Sequence, residues 1–311
     1  MLRRLSLVFV ALVLGCGGKG AASGADAKSA ADADPVALLP ASAIVVATLD
    51  AHAMYASASI GATLGTFTDS LMPLGADAGF QASRDVDRVV FAAYAGSEAD
   101  VAAVLSGRFD LDKIAAVTTT KTGAAVVKAT YAGFATDSVG GLTVAPITAK
   151  TVVVGTSERV HRVLDRLGAG PLQRSTPPWV SDTLGTQGAQ FAVTADFATQ
   201  PIASATIGAI NLSWLKGLQV VRAIGDFDAP GINVAGTMTY ADAAGAQAAS
   251  DGIHLLDGLQ KVLAPLLLGA KVQNLQVSST GADVSCKFAL DDSSLRPLLS
   301  LASRYAQPPT Q

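Results

Sequence analysis

The chain has very little cysteine and little charge for its length. Cys16 and Cys286 are the only two cysteines among 311 residues, so a scaffold stapled by several disulfides is excluded. Charged residues make up 15% of the chain and hydrophobic residues 50%, which is ample apolar material for a core. Stability must therefore come from the burial of apolar surface and not from covalent links.

Long apolar runs and an excess of basic residues are also missing. Beyond the first residues, no segment approaches the roughly 18 consecutive apolar residues that indicate a membrane-spanning helix. Lys and Arg number 22 against 25 Asp and Glu, which gives a formal net charge of −3. Because nucleic-acid binding needs clustered Lys and Arg, we expect no nucleic-acid partner.

The first 15 residues have the three parts of a secretory signal. Arg3 and Arg4 supply positive charge, the run Leu5–Leu14 is apolar, and Gly15 is the small residue that precedes Cys16. The apolar run is about ten residues long, whereas a helix that spans a bilayer needs roughly 20 residues. Residues 1–15 are therefore predicted to be a signal peptide rather than a membrane span.

The C-terminal end of this signal resembles the lipobox of bacterial lipoproteins, with the residues Leu12-Val13-Leu14-Gly15-Cys16. The resemblance implies cleavage between Gly15 and Cys16, diacylation of the Cys16 thiol and acylation of the new amino group. Each buried methylene contributes about 0.8 kcal/mol, so two or three acyl chains hold far more firmly than one. The expected partner is a membrane, reached through this lipid anchor. The alternative is an ordinary cleaved signal with an incidental cysteine.

Composition divides the rest of the chain into a tether, a body and a tail. Residues 16–38 contain almost nothing large and apolar, so we predict a lipidated cysteine followed by a disordered tether. The body is predicted to consist of one unit at 39–172 and a second at 173–306. Residues 307–311 contain two prolines and are expected to form a loose tail.

A repeated heptapeptide suggests that the two units are similar. Residues 56–62 (ASASIGA) return as 203–209 (ASATIGA), and each copy follows a strand-like run that ends in Asp50 or Asp196. Both aspartates are predicted to cap a small-residue helix. Each unit reads roughly β-α-β-β-α-β-β-α, which predicts an α+β fold with mainly antiparallel sheets covered by helices on one face.

As a whole, the body resembles uncharacterised alanine-rich bacterial lipoproteins. The likeness is carried by the opening Leu39–Asp50 and by the closing stretch from Leu275 to Leu299. It implies an architecture and no known activity. The expected location is the cell envelope, with the outer membrane facing the periplasm preferred over the inner membrane or the cell surface. That preference follows from Gly17, which stands where an aspartate favours inner-membrane retention in some bacteria.

The sequence contains only parts of known catalytic motifs. Residues 213–216 (SWLK) fit S-x-x-K and residues 121–123 (KTG) fit K-T-G, but K-T-G must follow S-x-x-K in penicillin-recognising serine enzymes. Residues 155–158 (GTSE) are better explained as a helix start, with Thr156 or Ser157 as the N-cap. We therefore expect no catalytic residue.

Metal-binding patterns are equally weak. His52 and His254 have no partner at ligand spacing, whereas His161 and Asp165 lie one helical turn apart and form either half a metal site or an exposed hydrogen-bonded pair. Cys286 alternates with apolar neighbours and is predicted to be a buried, inert thiol. Asp-x-Asp pairs occur at 32/34, 85/87, 110/112 and 226/228, of which Asp110 is expected to cap a helix. No metal and no cofactor are predicted.

Three functions stay open at this point. The first is a membrane-anchored envelope lipoprotein with a non-catalytic binding or structural role toward an unknown protein or ligand. The second is a periplasmic carrier of apolar ligands such as lipids, suggested by the high apolar fraction. The third is an enzyme whose site the sequence does not reveal. A large apolar cavity would favour the carrier, and ionisable groups converging in one cleft would favour the enzyme.

Overall fold

The computed structural model describes residues 24–72, 74, 78–96, 100–120, 123–202, 206–207, 210–211, 213–263 and 272–306. The predicted signal at 1–15, Cys16 and the tail at 307–311 lie outside these residues. The described body is α+β with one large antiparallel sheet, which confirms the predicted fold class.

Helices and strands alternate irregularly along the chain. The α-helices are α1 (Gly24–Ala33), α2 (Ala51–Ala56), α3 (Gly61–Leu71), α4 (Ala82–Asp85), α5 (Leu111–Ala116), α6 (Ser157–Gly168), α7 (Pro178–Leu184), α8 (Ala243–Leu263) and α9 (Asp292–Ala306). The strands are β1 (Ala43–Asp50), β2 (Val86–Tyr94), β3 (Asp100–Gly107), β4 (Val127–Tyr131), β5 (Phe134–Val139), β6 (Leu142–Pro146), β7 (Thr151–Thr156), β8 (Phe191–Asp196), β9 (Thr206–Ile207), β10 (Ile210–Asn211), β11 (Leu218–Asp226), β12 (Gly231–Tyr240), β13 (Gln273–Thr280) and β14 (Asp283–Asp291). Short 3-10 helices occur at Pro35–Leu38 and Ser213–Leu215.

The main sheet joins both halves of the chain, 39–172 and 173–306. Its 12 described strands run in the order β13-β14-β12-β11-β8-β1-β2-β3-β7-β6-β5-β4, and every neighbouring pair is antiparallel. The halves meet where β1 pairs with β8, so they share one sheet, whereas the sequence predicted a sheet in each. The strands β9 and β10 pair separately.

Helices cover both faces of this sheet, and the prediction of cover on one face is wrong. Face 1 carries α1, α6 and α7, whose core residues pack on strand side chains that include Val46, Val90, Val104 and Val153. Face 2 carries α2, α3, α4, α5, α8 and α9, which pack on the alternate side chains. The central strands are apolar on both faces, as in the run Val152-Val153-Val154 of β7. Both faces of the centre therefore need cover.

Face 1 is open over the outer strands of the second half, as far as the structure describes them. Four side chains that point to this face from β11, β13 and β14 are polar and exposed, namely Arg222, Ser278, Ser285 and Lys287. On the opposite face Val284 is buried under α8. These outer strands alternate between polar and apolar residues, so only face 2 has apolar surface to bury.

The N-terminal part of the body contradicts the disordered tether predicted for 16–38. From Gly24 the chain forms α1 and then a 3-10 helix, and Ala27, Ala31, Val36 and Leu38 are buried. The small alanine side chains let α1 approach the body closely. The segment 24–38 is therefore part of the folded body, and the prediction failed because composition does not reveal this docking.

Two aspartates tie this segment to the body. Asp32 accepts hydrogen bonds from the Thr148 and Thr151 hydroxyls at 2.7 and 2.6 Å. Asp34 forms an ion pair with Arg174, at 2.7 Å between Oδ2 and Nε. These partners are more than a hundred residues away in sequence. They could not be predicted from the sequence of the segment itself.

The first half contains two more strands than the predicted pattern. Before its last helix the pattern predicts two strands, whereas the structure has β4, β5, β6 and β7. Ala132 and Gly133 take positive φ values of 49° and 84° and form the tight turn of the β4–β5 hairpin, a turn in which glycine is favoured. The bend at 148–150 separates β6 from β7.

The two aspartates of the repeated segment behave differently. Asp50 Oδ1 accepts the Ala53 N–H at 2.8 Å and caps α2, which confirms its prediction; Asp110 caps α5 in the same way. Asp196 Oδ1 accepts the Ala198 N–H at 3.0 Å, which is the bond of a local turn.

The small-residue helix predicted at 203–209 is wrong in its described part. Thr206–Ile207 and Ile210–Asn211 pair as strands, while 203–205 and 208–209 lie outside the described residues. Threonine and isoleucine branch at Cβ, which favours extended backbone. The first copy, by contrast, ends α2 and begins α3.

We expect Asp50→Ala to lower the free energy of unfolding by about 1 kcal/mol, the usual cost of losing an N-cap. Asp196→Ala should cost less, because it removes a turn bond and no helix cap. Urea denaturation of both variants measures the difference, with Asp87→Ala on the exposed part of β2 as control. Equal losses at Asp50 and Asp196 would contradict the distinction.

Candidate functional site

A pocket opens on face 1 where the two halves meet, and we call it the inter-half pocket. Its volume is about 410 Å³, within the range of small-molecule sites. The first half contributes residues 40–44 and Val46. The second half contributes 175–177, Trp179, Val180, Thr194, Asp196, Thr199 and Gln200. The pocket is thus formed only when the halves share their sheet.

Two prolines position the second-half wall of the pocket. Pro177 and Pro178 begin α7, since a fixed φ and a missing N–H suit the first turn of a helix. The helix then presents Trp179 and Val180 to the pocket and to the core of face 1. Sequence reasoning missed this wall, although a proline pair followed by tryptophan was a visible signal.

Two polar groups of the pocket's second-half wall donate hydrogen bonds to backbone carbonyls of the first half. The Thr194 hydroxyl donates to the Val46 carbonyl at 3.0 Å, across the β1–β8 junction. The Ser175 hydroxyl donates to the Leu39 carbonyl at 3.0 Å and ties one rim to the other. Asp196 adds a carboxylate to the lining. The lining therefore combines apolar walls with a few fixed polar groups.

An ion pair supports the Pro40 end of the pocket from behind. The Tyr94 hydroxyl donates to the Pro40 carbonyl at 3.1 Å, and the Arg159 guanidinium lies 4.1 Å from the Tyr94 ring centroid. Arg159 Nη2 is 2.6 Å from Asp100 Oδ2, and the Thr156 hydroxyl donates to Asp100 Oδ1 at 2.7 Å. The bond from Arg159 lowers the pKa of Asp100, and burial raises the pKa of Tyr94.

The lowered pKa of Asp100 predicts a pH-dependent stability. A carboxylate whose pKa is depressed by folding stabilises the protein above its unfolded pKa of about 3.9, and this stabilisation is lost as the pH falls through the folded pKa. Asp100→Asn should therefore be less stable than the parent at neutral pH, and the gap should shrink toward about pH 3. Denaturation at a series of pH values tests this, with the exposed Asp182→Asn as control. A gap that does not change with pH would refute the assignment.

Tyr131 contacts both members of the predicted pair, His161 and Asp165. The Tyr131 ring stacks on His161, with centroids 3.8 Å apart, and its hydroxyl donates to Asp165 Oδ2 at 3.2 Å. His52 and His254 are exposed on α2 and α8. Among the described residues, no three His, Cys, Asp or Glu side chains come together as a metal site would require.

Each of the four Asp-x-Asp pairs contains an aspartate with a hydrogen-bond or ion-pair partner of its own. Asp110 caps α5 and Asp32 receives two threonine hydroxyls. Asp226 accepts from Asn233 Nδ2 at 2.7 Å, and Asp85 pairs with Arg84 at 2.6 Å. These bonds account for Asp32, Asp85, Asp110 and Asp226.

The remaining predicted positions are scattered over the fold. Cys286 is half-buried on face 2, and burial raises the pKa of its thiol, so the thiol stays protonated and weakly reactive. Ser213 begins a 3-10 helix that Lys216 follows, while Lys121 and Thr122 of K-T-G lie outside the described residues. The start of α6 at Ser157 confirms the helix predicted there. Gly15 and Cys16 also lie outside.

Two other depressions differ sharply in character. The open part of face 1 forms a polar trough of about 640 Å³, lined by side chains that include Arg222, Ser285 and Lys287. An apolar cavity between face 2 and the Phe80–Phe109 ring pair has a volume of only about 20 Å³. Within the described parts of the chain, no helix is both long and apolar enough to cross a bilayer.

Comparison with known proteins yields a likeness of fold. No family model and no curated protein matches the chain. Crystal form I of TP0453 is similar over 87% of this chain and 97% of its own, at 16% identity and a TM-score of 0.54. Crystal form III of TP0453 is similar over 87% of this chain and 98% of its own, at 16% identity and a TM-score of 0.56. At this identity the likeness shows that the chain shares the fold of TP0453.

Proposed function

We propose that the chain is a membrane-anchored envelope lipoprotein with a non-catalytic binding role, and that the inter-half pocket is its binding site. The observation that carries the binding role is the composition of the pocket. Apolar walls at Ile44, Val46 and Trp179 stand beside polar groups at Asp196 and Gln200. Mostly apolar walls with a few placed polar groups are typical of small-molecule sites.

The lipid anchor is proposed at Cys16, with cleavage after Gly15. Its support is the order and spacing of the positive start, the apolar run and the small residue before the cysteine. The proposed location is the cell envelope, with the outer membrane facing the periplasm preferred. Acylation at Cys16 would make a membrane the first partner of the chain.

We also infer that the two halves derive from one duplicated unit. The orders β1-β2-β3-β7-β6 and β8-β11-β12-β14-β13 run outward from the junction in the same sequence, and α5 and α8 follow corresponding strands on the same face. One departure is the last helix of each half, because α6 lies on face 1 and α9 on face 2. This departure leaves the trough of the second half open.

A carrier of apolar ligands is the second candidate. The apolar walls at Trp179 and Val180 favour it, because an acyl or aromatic group fits such a surface. Two features disfavour it: the polar groups in the same lining, and the small volume of the apolar cavity near Phe109. An enzyme is the third candidate, and the described lining of the pocket adds one carboxylate, that of Asp196, in its support.

We expect Cys16→Ser to abolish lipid attachment and to release the chain from membranes. Metabolic labelling with palmitate and membrane fractionation measure both effects. Cys286→Ser is the matched control, since it removes the other cysteine and should keep label and location. Undiminished label and unchanged fractionation in Cys16→Ser would remove the proposed anchor.

Native mass spectrometry of the chain purified from its own membranes tests the pocket. A retained small molecule should be present on the parent and largely lost in Thr199→Trp, which fills the pocket from its exposed rim. Thr186→Trp, on an exposed turn that is not part of the lining, is the matched control and should keep the ligand. Equal retention in both variants would contradict the assignment, and no retained molecule in the parent would count against small-molecule binding.

A further inference from the structure

The position of α1 defines where the proposed anchor joins the folded body. Asp32, near the end of α1, is bonded to Thr148 and Thr151 at the β6–β7 bend. One helical turn earlier, Lys28 Nζ lies 5.5 Å from the ring centroid of Phe134, at the start of β5. From Asp32 back to Lys28 the helix therefore runs from the β6–β7 bend toward β5, which directs its first residue, Gly24, toward the β4 edge of the sheet.

The covalent distance from the anchor to this edge is short. Eight residue steps separate Cys16 from Gly24, and a fully extended chain of that length spans at most about 28 Å. The sheet is about 50 Å wide, since its 12 strands are spaced by about 4.8 Å. An acylated Cys16 therefore reaches the bilayer easily when the β4 edge is near it. It cannot reach the bilayer when the β13 edge faces it.

The surface of the β4 edge suits contact with a bilayer. β4 pairs with β5 on one side, and its first four residues are exposed, with Val127 at 64%. The strand contains no acidic residue, and its Lys128, 40% exposed, pairs with Asp137 on β5 at 3.4 Å. Tyr131 and Phe134, both half-buried, flank its turn. Aromatic rings and basic side chains are the groups that favour the head-group region of anionic bilayers.

We propose that the β4 edge, with the turn at 131–134, is the surface that lies against the phospholipid bilayer, and that the short tether holds it there. The inference rests on the proposed lipid anchor at Cys16. It places the β13 edge about 50 Å from the membrane by the strand spacing, and the polar trough, which spans β11 to β13, lies in that far part of the sheet. The trough then faces the partners of the compartment rather than lipid.

Energy transfer in proteoliposomes tests this orientation on the full lipidated chain. Single cysteines replace exposed residues at the two sheet edges, Thr130→Cys on β4 and Ser278→Cys on β13, in a Cys286→Ser background. The acylated Cys16 does not react with the dye. Vesicles of phosphatidylethanolamine and phosphatidylglycerol carry an acceptor on the lipid head group. We expect strong transfer from position 130 and several-fold weaker transfer from position 278.

A lengthened tether is the matched control. Insertion of about 20 Gly and Ser residues between Ala22 and Ser23 adds a span comparable with half the sheet width, so the difference between the two positions should shrink markedly. Equal transfer from both positions with the native tether would overturn the orientation. A full difference with the long tether would overturn the claim that tether length sets it.

The mass of the purified chain separates this inference from the proposed function. A chain that carries no acyl groups removes the anchor, and the orientation falls with it. A chain that is acylated but gives equal transfer removes the orientation alone. Strong transfer confined to position 130 of an acylated chain supports both.

Discussion

The hydrogen-bonded ladder between β1 and β8 holds the molecule together, because it turns two sets of strands into one sheet. Strands at the centre of so wide a sheet are buried on both faces, so they must be apolar on both faces and need helices on each. The inter-half pocket lies on this ladder, since Val46 and Thr194 are cross-strand partners and both line it. A change that separated β1 from β8 would therefore remove the core and the pocket together.

Side-chain alternation decides which parts of the sheet remain accessible. On β7 three successive valines leave no polar face, and helices pack on both sides. On β14, buried Val284 alternates with exposed Ser285 and Lys287, so burial on one side is enough. The open trough is thus a consequence of strand polarity, and it lies where α9 occupies face 2 and leaves face 1 uncovered.

Structures set by residues close together in the sequence could be predicted, whereas contacts between distant residues could not. The caps at Asp50 and Asp110 could be predicted because an N-cap bonds to a backbone N–H three residues away. The docking of α1 could not, because Asp32 bonds to residues 116 and 119 positions along the chain. The pocket could not be predicted for the same reason, since its lining joins residues 40–46 to 175–200. The prediction from the second heptapeptide was wrong because near-identity over seven residues does not fix conformation: Ile60 directly precedes α3, whereas its counterpart Ile207 lies in a strand.

The segment from α1 to the pocket is continuous, and the body fixes its course. The chain reaches the pocket rim at Pro40, two residues beyond the 3-10 helix at Pro35–Leu38. The carbonyls of Ala37, Leu39 and Pro40 accept hydrogen bonds from Arg166, Ser175 and Tyr94, at 2.8, 3.0 and 3.1 Å. These donors belong to three different segments of the body. The rim is therefore positioned by the folded body and not by the tether. A pull on Cys16 would act first on α1 and its aspartate ties, and the pocket would keep its shape until those ties broke.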